Sequence, residues 1–317
     1  GAMTATTIAA MAGAPVRVPP ALRGGMIMVL GIMLGSSFAP AILDHLGEWS
    51  VSLAGLAVYI VAATVIGILF LRRVARYDPV TAYFTATPGG FNEMVLAGGA
   101  MGGDDRTIAL VHAQRVMLVV LTIPFWFQLL SGYHPGDRGP LGPSLFSLSP
   151  PDVALLAACA IGAPIAQRLH VPAAFLLGPM VLSAAIHLAG LTEGRPPGVL
   201  VAVAQVVVGA SIGARFTGVP WHRIARTAVV AAGLTALVLG VTVLAALALH
   251  ALTGIGIPAL ILAYAPGGLA EMSLIALALH VDVAFVATHH AVRILLIILL
   301  APLAFRLWRR LGSGLSG

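Results

Sequence analysis

Eight apolar stretches, each close to the length that crosses a bilayer, dominate this chain: 26–43, 51–71, 107–131, 152–167, 171–191, 197–214, 227–250 and 284–307. A membrane-spanning helix needs about 20 such residues, each adding about 1.5 Å of rise. The stretches are rich in Leu, Ala, Val and Gly and lack the ten-residue alternation of outer-membrane strands, so they predict helices. Only 9% of the 317 residues are charged and 59% are hydrophobic, whereas a soluble domain carries roughly a quarter charged. The expected fold class is an all-α integral membrane protein.

The remaining composition excludes more than it assigns. All seventeen basic residues are arginines and the net charge is +6, but no basic run is dense enough, or interleaved with aromatics, to suggest direct nucleic-acid binding. Arginine-rich cytoplasmic loops account for the charge. Cys159 is the single cysteine and cannot form an intrachain disulfide. The longest polar stretch, "SGYHPGDRGPLGPSLFSLSPP" at 131–151, reads as a Pro/Gly/Ser linker.

Sliding the sequence on itself by 178 positions aligns 88–124 with 266–302 without a gap, with about 15 of 37 positions identical. This is an internal repeat. Pro88, Gly89, Gly90, Glu93, Met94, Asp104, His112, Arg115 and Pro124 fall on Pro266, Gly267, Gly268, Glu271, Met272, Asp282, His290, Arg293 and Pro302. Further upstream "GIMLG" at 31–35 faces "QVVVG" at 205–209, and "GAMTATTIAAMAG" at the start tracks "GPMVLSAAIHLAG" from 178. The expected organisation is a first membrane repeat at 1–130, the linker at 131–151, a second repeat at 152–310 and a tail at 311–317. On this alignment the chain begins inside the first repeat, and the counterpart of 152–177 is expected to be missing.

Loop charge predicts topology. If the segments 79–101 and 257–279 dip in and return on one side, Arg17, Arg23, Arg72, Arg73, Arg76, Arg168, Arg215, Arg223, Arg226, Arg306, Arg309 and Arg310 share a face, with Asp44, Glu48 and Glu193 opposite. Arg138 and Arg195 disobey. Five crossings per complete repeat is an odd number, so the second repeat is expected to be inverted, as in many secondary transporters. Crossing but unwound helices are the competing reading.

The chemistry concentrates in the repeated motif, "TPGGFNEM" at 87–94 and "APGGLAEM" at 265–272. Proline removes a backbone donor and glycine tolerates positive φ, so each helix should stop and restart there, presenting free N–H groups that suit an anion. A packed kink is the blander reading. Glu93 and Glu271 fall in the first turn of the restarted helix; a carboxylate in a bilayer costs at least about 2.5 kcal/mol unless protonated or paired, which suits a proton or cation site, or a helix cap. His112 and Arg115, like His290 and Arg293, are three apart and share a helix face. The arginines suit a substrate carboxylate or an internal bridge to the glutamates, and the histidines a coupling proton. Asp104 and Asp282 sit where N-caps belong. His289 has Val111 at the matched position and is secondary. "GASIG" at 209–213 lies mid-helix, not on a strand-to-helix elbow, and reads with "GIMLG" as close-packing Gly-x-x-x-Gly. No metal, cofactor or catalytic motif is present.

With "PGGFNEM", "PGGLAEM" and "LLGPM" at 176–180, the chain resembles the membrane AbrB family across nearly its whole length. That resemblance implies an inner-membrane protein with this duplication. Members carry two labels, regulator of gene expression and ammonia monooxygenase. They are distinct from the small soluble DNA-binding protein that shares the name. Three functions compete: a transporter accounts for repeats, breaks and paired ionisable residues together; a regulator would act indirectly, by moving a signal; an oxygenase needs a metal site that no spacing here compels. The transporter reading ranks first. Its site for a small anionic or zwitterionic solute comprises Pro88, Gly89, Gly90, Glu93, Arg115 and Pro266, Gly267, Gly268, Glu271, Arg293, with proton coupling through Glu93, Glu271, His112 and His290. Expected partners are the lipid bilayer and the small-molecule solute, without direct nucleic acid; a homo-oligomer stays open.

Overall fold

The computed structural model describes residues 1–40, 46–131, 142–144 and 147–313. Asp44, Arg138, most of the expected linker and the last four residues lie outside them, as do the side chains of Arg309 and Arg310. The described residues form helices α1 (Ala2–Met11), α2 (Pro20–Gly35), α3 (Leu46–Arg73), α4 (Pro79–Ala86), α5 (Phe91–Ala100), α6 (Asp105–Ser131), α7 (Pro150–Cys159), α8 (Gly162–Arg168), α9 (Ala174–Leu188), α10 (Gly198–Gly213), α11 (Trp221–Thr253), α12 (Ile257–Tyr264), α13 (Leu269–Ala278) and α14 (Val283–Ser313). No strand occurs among them. The protein is an all-α, multi-pass membrane protein.

Among the described residues, six spans are long and apolar enough to cross a membrane: Gly47–Arg73, Asp105–Phe127, Pro150–Arg168, Gly198–Phe216, Trp221–Thr253 and Val283–Trp308. Two of the eight expected runs fall short. Helix α2 has 16 residues and α9 has 15, about 24 and 22 Å at 1.5 Å per residue. Consecutive prolines, Pro19 and Pro20, open α2, whereas α9 is bounded by Ala173 at φ 48° and Gly190 at φ 67°. These left-handed residues interrupt a continuous apolar run without lowering its hydropathy.

The chain packs as two compact units, each drawing segments from both sequence halves: residues 1–49, 120–224 and 269–287 in the first, 50–119, 225–268 and 288–317 in the second. In the first, α2 packs on α9 and α10, and α1 on α10. Glycine sets the spacing. A Cβ on Gly31 would stand 2.5 Å from Leu176 O, and one on Gly35 2.4 Å from Met180 O, so the helix backbones touch where "GIMLG" predicts close packing. Ser183 Oγ adds a 2.9 Å hydrogen bond to Ile32 O.

The second unit has a core of Tyr83, Phe84, Met94, Ile108, Ile297, Ala301 and Phe305. The apolar windows of α6 and α14 are 50% buried inside the protein, against 22% for that of α3 and 28% for that of α11. The two helices that carry the His/Arg pairs are thus the better shielded from lipid.

Candidate functional site

The first break sits at the tip of a helical hairpin. Pro79 and the Asp78 cap, whose Oδ1 accepts the N–H groups of Val80 and Thr81 at 3.0 Å, start α4; α5 starts at Phe91 after four non-helical residues. The chain then doubles back. Gly98 on α5 lies against Phe84 on α4, and Gly103 against Val80: a Cβ added to either glycine would stand 3.1 Å from that neighbour's side chain. The Asp104 N–H donates to Thr81 Oγ1 at 2.8 Å, closing the base of the hairpin. The second copy repeats the element lengths, eight residues in α12 and ten in α13, with 265–268 between them.

The glycines of the first break serve a different purpose from the one expected. Neither Gly89 nor Gly90 has positive φ. Space is what excludes a side chain: a Cβ on Gly89 would meet Ile297 at 2.7 Å, and one on Gly90 would meet Glu93 Oε2 at 2.2 Å. The Glu93 carboxylate, half-buried at the third position of α5, therefore curls back over the break. Glu271 holds the same position in α13, in the other unit, within Coulombic reach of Arg215 and Arg23. It lines a cavity of 590 Å³ with Gln205, Gly209 and Pro124.

Both histidines make one contact twice. His112 Nε2 lies 2.9 Å from Phe84 O and His290 Nε2 2.8 Å from Leu262 O, each pair 28 residues apart and 178 positions from its counterpart. A carbonyl only accepts, so Nε2 carries the hydrogen and Nδ1 presents its lone pair. That lone pair receives an arginine N–H, from Arg115 at 3.1 Å and from Arg293 at 2.9 Å. Arg293 also donates to the second break, Nη1 to Ala265 O at 2.6 Å and Nη2 to Gly267 O at 2.8 Å. The glutamates are not among the arginines' hydrogen-bond partners. Arg115 and Arg293 are each 3% exposed, ten residues into their helices, about 15 Å from the helix start and so near mid-span.

Asp104 and Asp282 cap α6 and α14: each Oδ1 accepts two N–H groups, of Arg106 and Thr107 at 3.1 Å and of Ala284 and Phe285 at 2.9 and 3.0 Å. Pro88, Pro266 and Gly267 are buried and Gly268 half-buried.

Sequence comparison within the chain missed a second layer. Tyr59 stacks edge-on with Tyr264 at 5.2 Å and bonds Thr242 Oγ1 at 3.0 Å; Tyr264 donates to Ser52 O, and Ser52 Oγ lies 2.9 Å from His289 Nε2. Tyr59 stands within Coulombic range of both arginines. Hydroxyls and an imidazole inside apolar runs were the available signal, but of the five residues only Thr242 meets its own type, Thr64, at the 178-position shift. Among the described residues no group of three or more His, Cys, Asp or Glu could hold a metal ion.

A family model described as "Transition state regulatory protein AbrB" matches residues 1–309. The "Uncharacterized protein YhjN" of Bacillus subtilis (strain 168) is 29% identical over 306 residues, 90% of this chain and 78% of that protein. The "Putative regulator AbrB" of Escherichia coli (strain K12) is 24% identical over 312 residues, 95% of this chain and 87% of that protein.

Proposed function

We propose, from the premise that this chain belongs to the AbrB family of membrane proteins, that it is a secondary-transporter-like protein moving a small anionic or zwitterionic solute across the bacterial cytoplasmic membrane. The observation that carries the reading is the mid-span placement of two buried arginines beside broken helices. Charge at that depth is expensive and serves solute or ion pathways, and broken helices supply the backbone groups that line such pathways. The doubling back of 79–103 supports a segment that enters and leaves on one side, and with it the inverted arrangement of the two repeats.

Coupling falls to the glutamates. Both nitrogens of His112 and His290 are engaged, so a proton on Nδ1 would meet an arginine donor. Glu93 and Glu271 keep half-buried carboxylates. On this reading the protein is not an enzyme, and its partners are the bilayer and the solute, not nucleic acid. The regulatory names of the family and of the Escherichia coli relative agree with it through movement of a signalling solute.

Uptake into proteoliposomes across a metabolite panel, with and without a pH gradient, tests the proposal. Expected is solute-dependent flux that responds to the gradient and falls at least tenfold in the Glu93→Gln/Glu271→Gln double variant, the about 1.4 kcal/mol that one decade represents. Flux absent for every solute, or unchanged in the double variant, overturns it.

A further inference from the structure

The two matched arginines are not used alike. Arg293 is engaged by carbonyls of the second break, donating to Tyr264 O, Ala265 O and Gly267 O at 3.4, 2.6 and 2.8 Å besides its bond to His290. Arg115 has, among the described residues, only the 3.1 Å bond to His112. Its Nε is buried without a partner, as is that of Arg293, but Arg115 has no carbonyl to offset the loss.

The two breaks differ at one matched carbonyl. Thr87 O accepts the Gly89 N–H at 2.8 Å, whereas Ala265 O accepts from Arg293 at 2.6 Å. The Thr87 hydroxyl turns to Tyr83 O at 2.8 Å, a carbonyl whose counterpart, that of Ile261, is not among the acceptors of Arg293.

The electrostatics sharpen what Arg115 lacks. Its charged neighbour in range is Arg293, a second cation, and the remaining polar group is Tyr59. Neither arginine pairs with a carboxylate among the described residues. A buried guanidinium needs a counter-charge or a full set of acceptors; Arg293 has acceptors, and Arg115 has neither.

We propose that Arg115 is the anion-binding residue of this protein, taking a small organic monoanion of the monocarboxylate class, and that Arg293 is a clamp on the second helix break. The proposal rests on the solute-carrying reading and narrows its solute. An ammonium group held beside the two guanidiniums would be repelled by both, and neither bonds a carboxylate that could offset this, so an anion without an ammonium group fits better than a zwitterion. A dianion would bring a second charge to one set of free donors. A carboxylate matches the guanidinium's planar donors.

Thermal unfolding of the full chain in lipid nanodiscs, with acetate, glycine, malonate or chloride at matched ionic strength, is the test. Acetate should raise Tm by about 3 °C or more at saturation, and the other three should not. Arg115→Gln should abolish the acetate shift while leaving the unliganded Tm equal or higher, because an uncompensated buried cation is gone. Arg293→Gln should lower the unliganded Tm; if that variant does not fold, the clamp role stands and Arg115→Gln alone decides the site. An acetate shift kept in Arg115→Gln, an equal shift with glycine, malonate or chloride, or an Arg115→Gln variant as unstable as Arg293→Gln overturns the proposal. Labelled-acetate uptake separates the two readings: binding without uptake sinks transport and leaves the site, whereas uptake undiminished in Arg115→Gln sinks the site.

Discussion

At Gly90 the added methyl group of an alanine would fall 2.2 Å from a carboxylate oxygen of Glu93, and this one clash links the two most conspicuous residue types of the motif. The glycine is small so that the glutamate can lie over the break. The obstructing atom is the end of a flexible side chain that can turn aside, so Gly90→Ala should cost about 1 kcal/mol or less, and that cost should vanish in a Gly90→Ala/Glu93→Ala double variant, where the obstructing carboxylate is gone. Denaturant titration of the four proteins in one detergent closes the cycle; additive costs would mean that the Glu93 carboxylate does not obstruct a side chain at position 90. The sequence exposes both residues through their repetition. It hides the reason for the glycine, because positive φ and close approach demand the same residue, and only the folded backbone, with Gly90 at φ −61°, separates them. The unequal duty of Arg115 and Arg293 is hidden too, because the two arginines align with each other and only the folded contacts tell them apart.

At the scale of elements, the break acts through the hairpin it creates. Helices of eight and ten residues are too short to be stable alone, so α4 and α5 depend on each other and on the Asp104–Thr81 bond at their base. Gly103 would place a Cβ 3.1 Å from Val80 Cγ1, within reach of a disulfide. In a Cys159→Ala background, Val80→Cys/Gly103→Cys should cross-link on mild oxidation, detectable by mass; a failure to cross-link means the segment does not double back. The periodicity of apolar residues makes the long helices legible, and the Pro-Gly-Gly motif marks the interruption, but a straight, unwound crossing has the same signature. What distinguishes them is contact between Gly98 and Phe84, fourteen positions apart, which no local pattern encodes. Helix α9 is shorter than its apolar run because hydropathy does not register Ala173 or Gly190 turning left-handed.

For the whole molecule, the decisive quantity is the parity of membrane crossings. If both broken segments return to their own side, a complete repeat has an odd number of crossings, and an odd number inverts the copy that follows. The repeated contacts are local, His112 to Phe84 and His290 to Leu262 at the same spacing, and they hold whichever way the second copy faces, so they carry no information on inversion. Arginine distribution does, since the loops that share a face under inversion are those richest in arginine. Single cysteines at 103 and 281, again in a Cys159→Ala background, turn the parity into a measurement with a membrane-impermeant thiol reagent. Inversion predicts that intact spheroplasts label one of the two positions and inside-out vesicles the other. Labelling of both from the same side means an even number of crossings, and a pair of broken helices facing the same way.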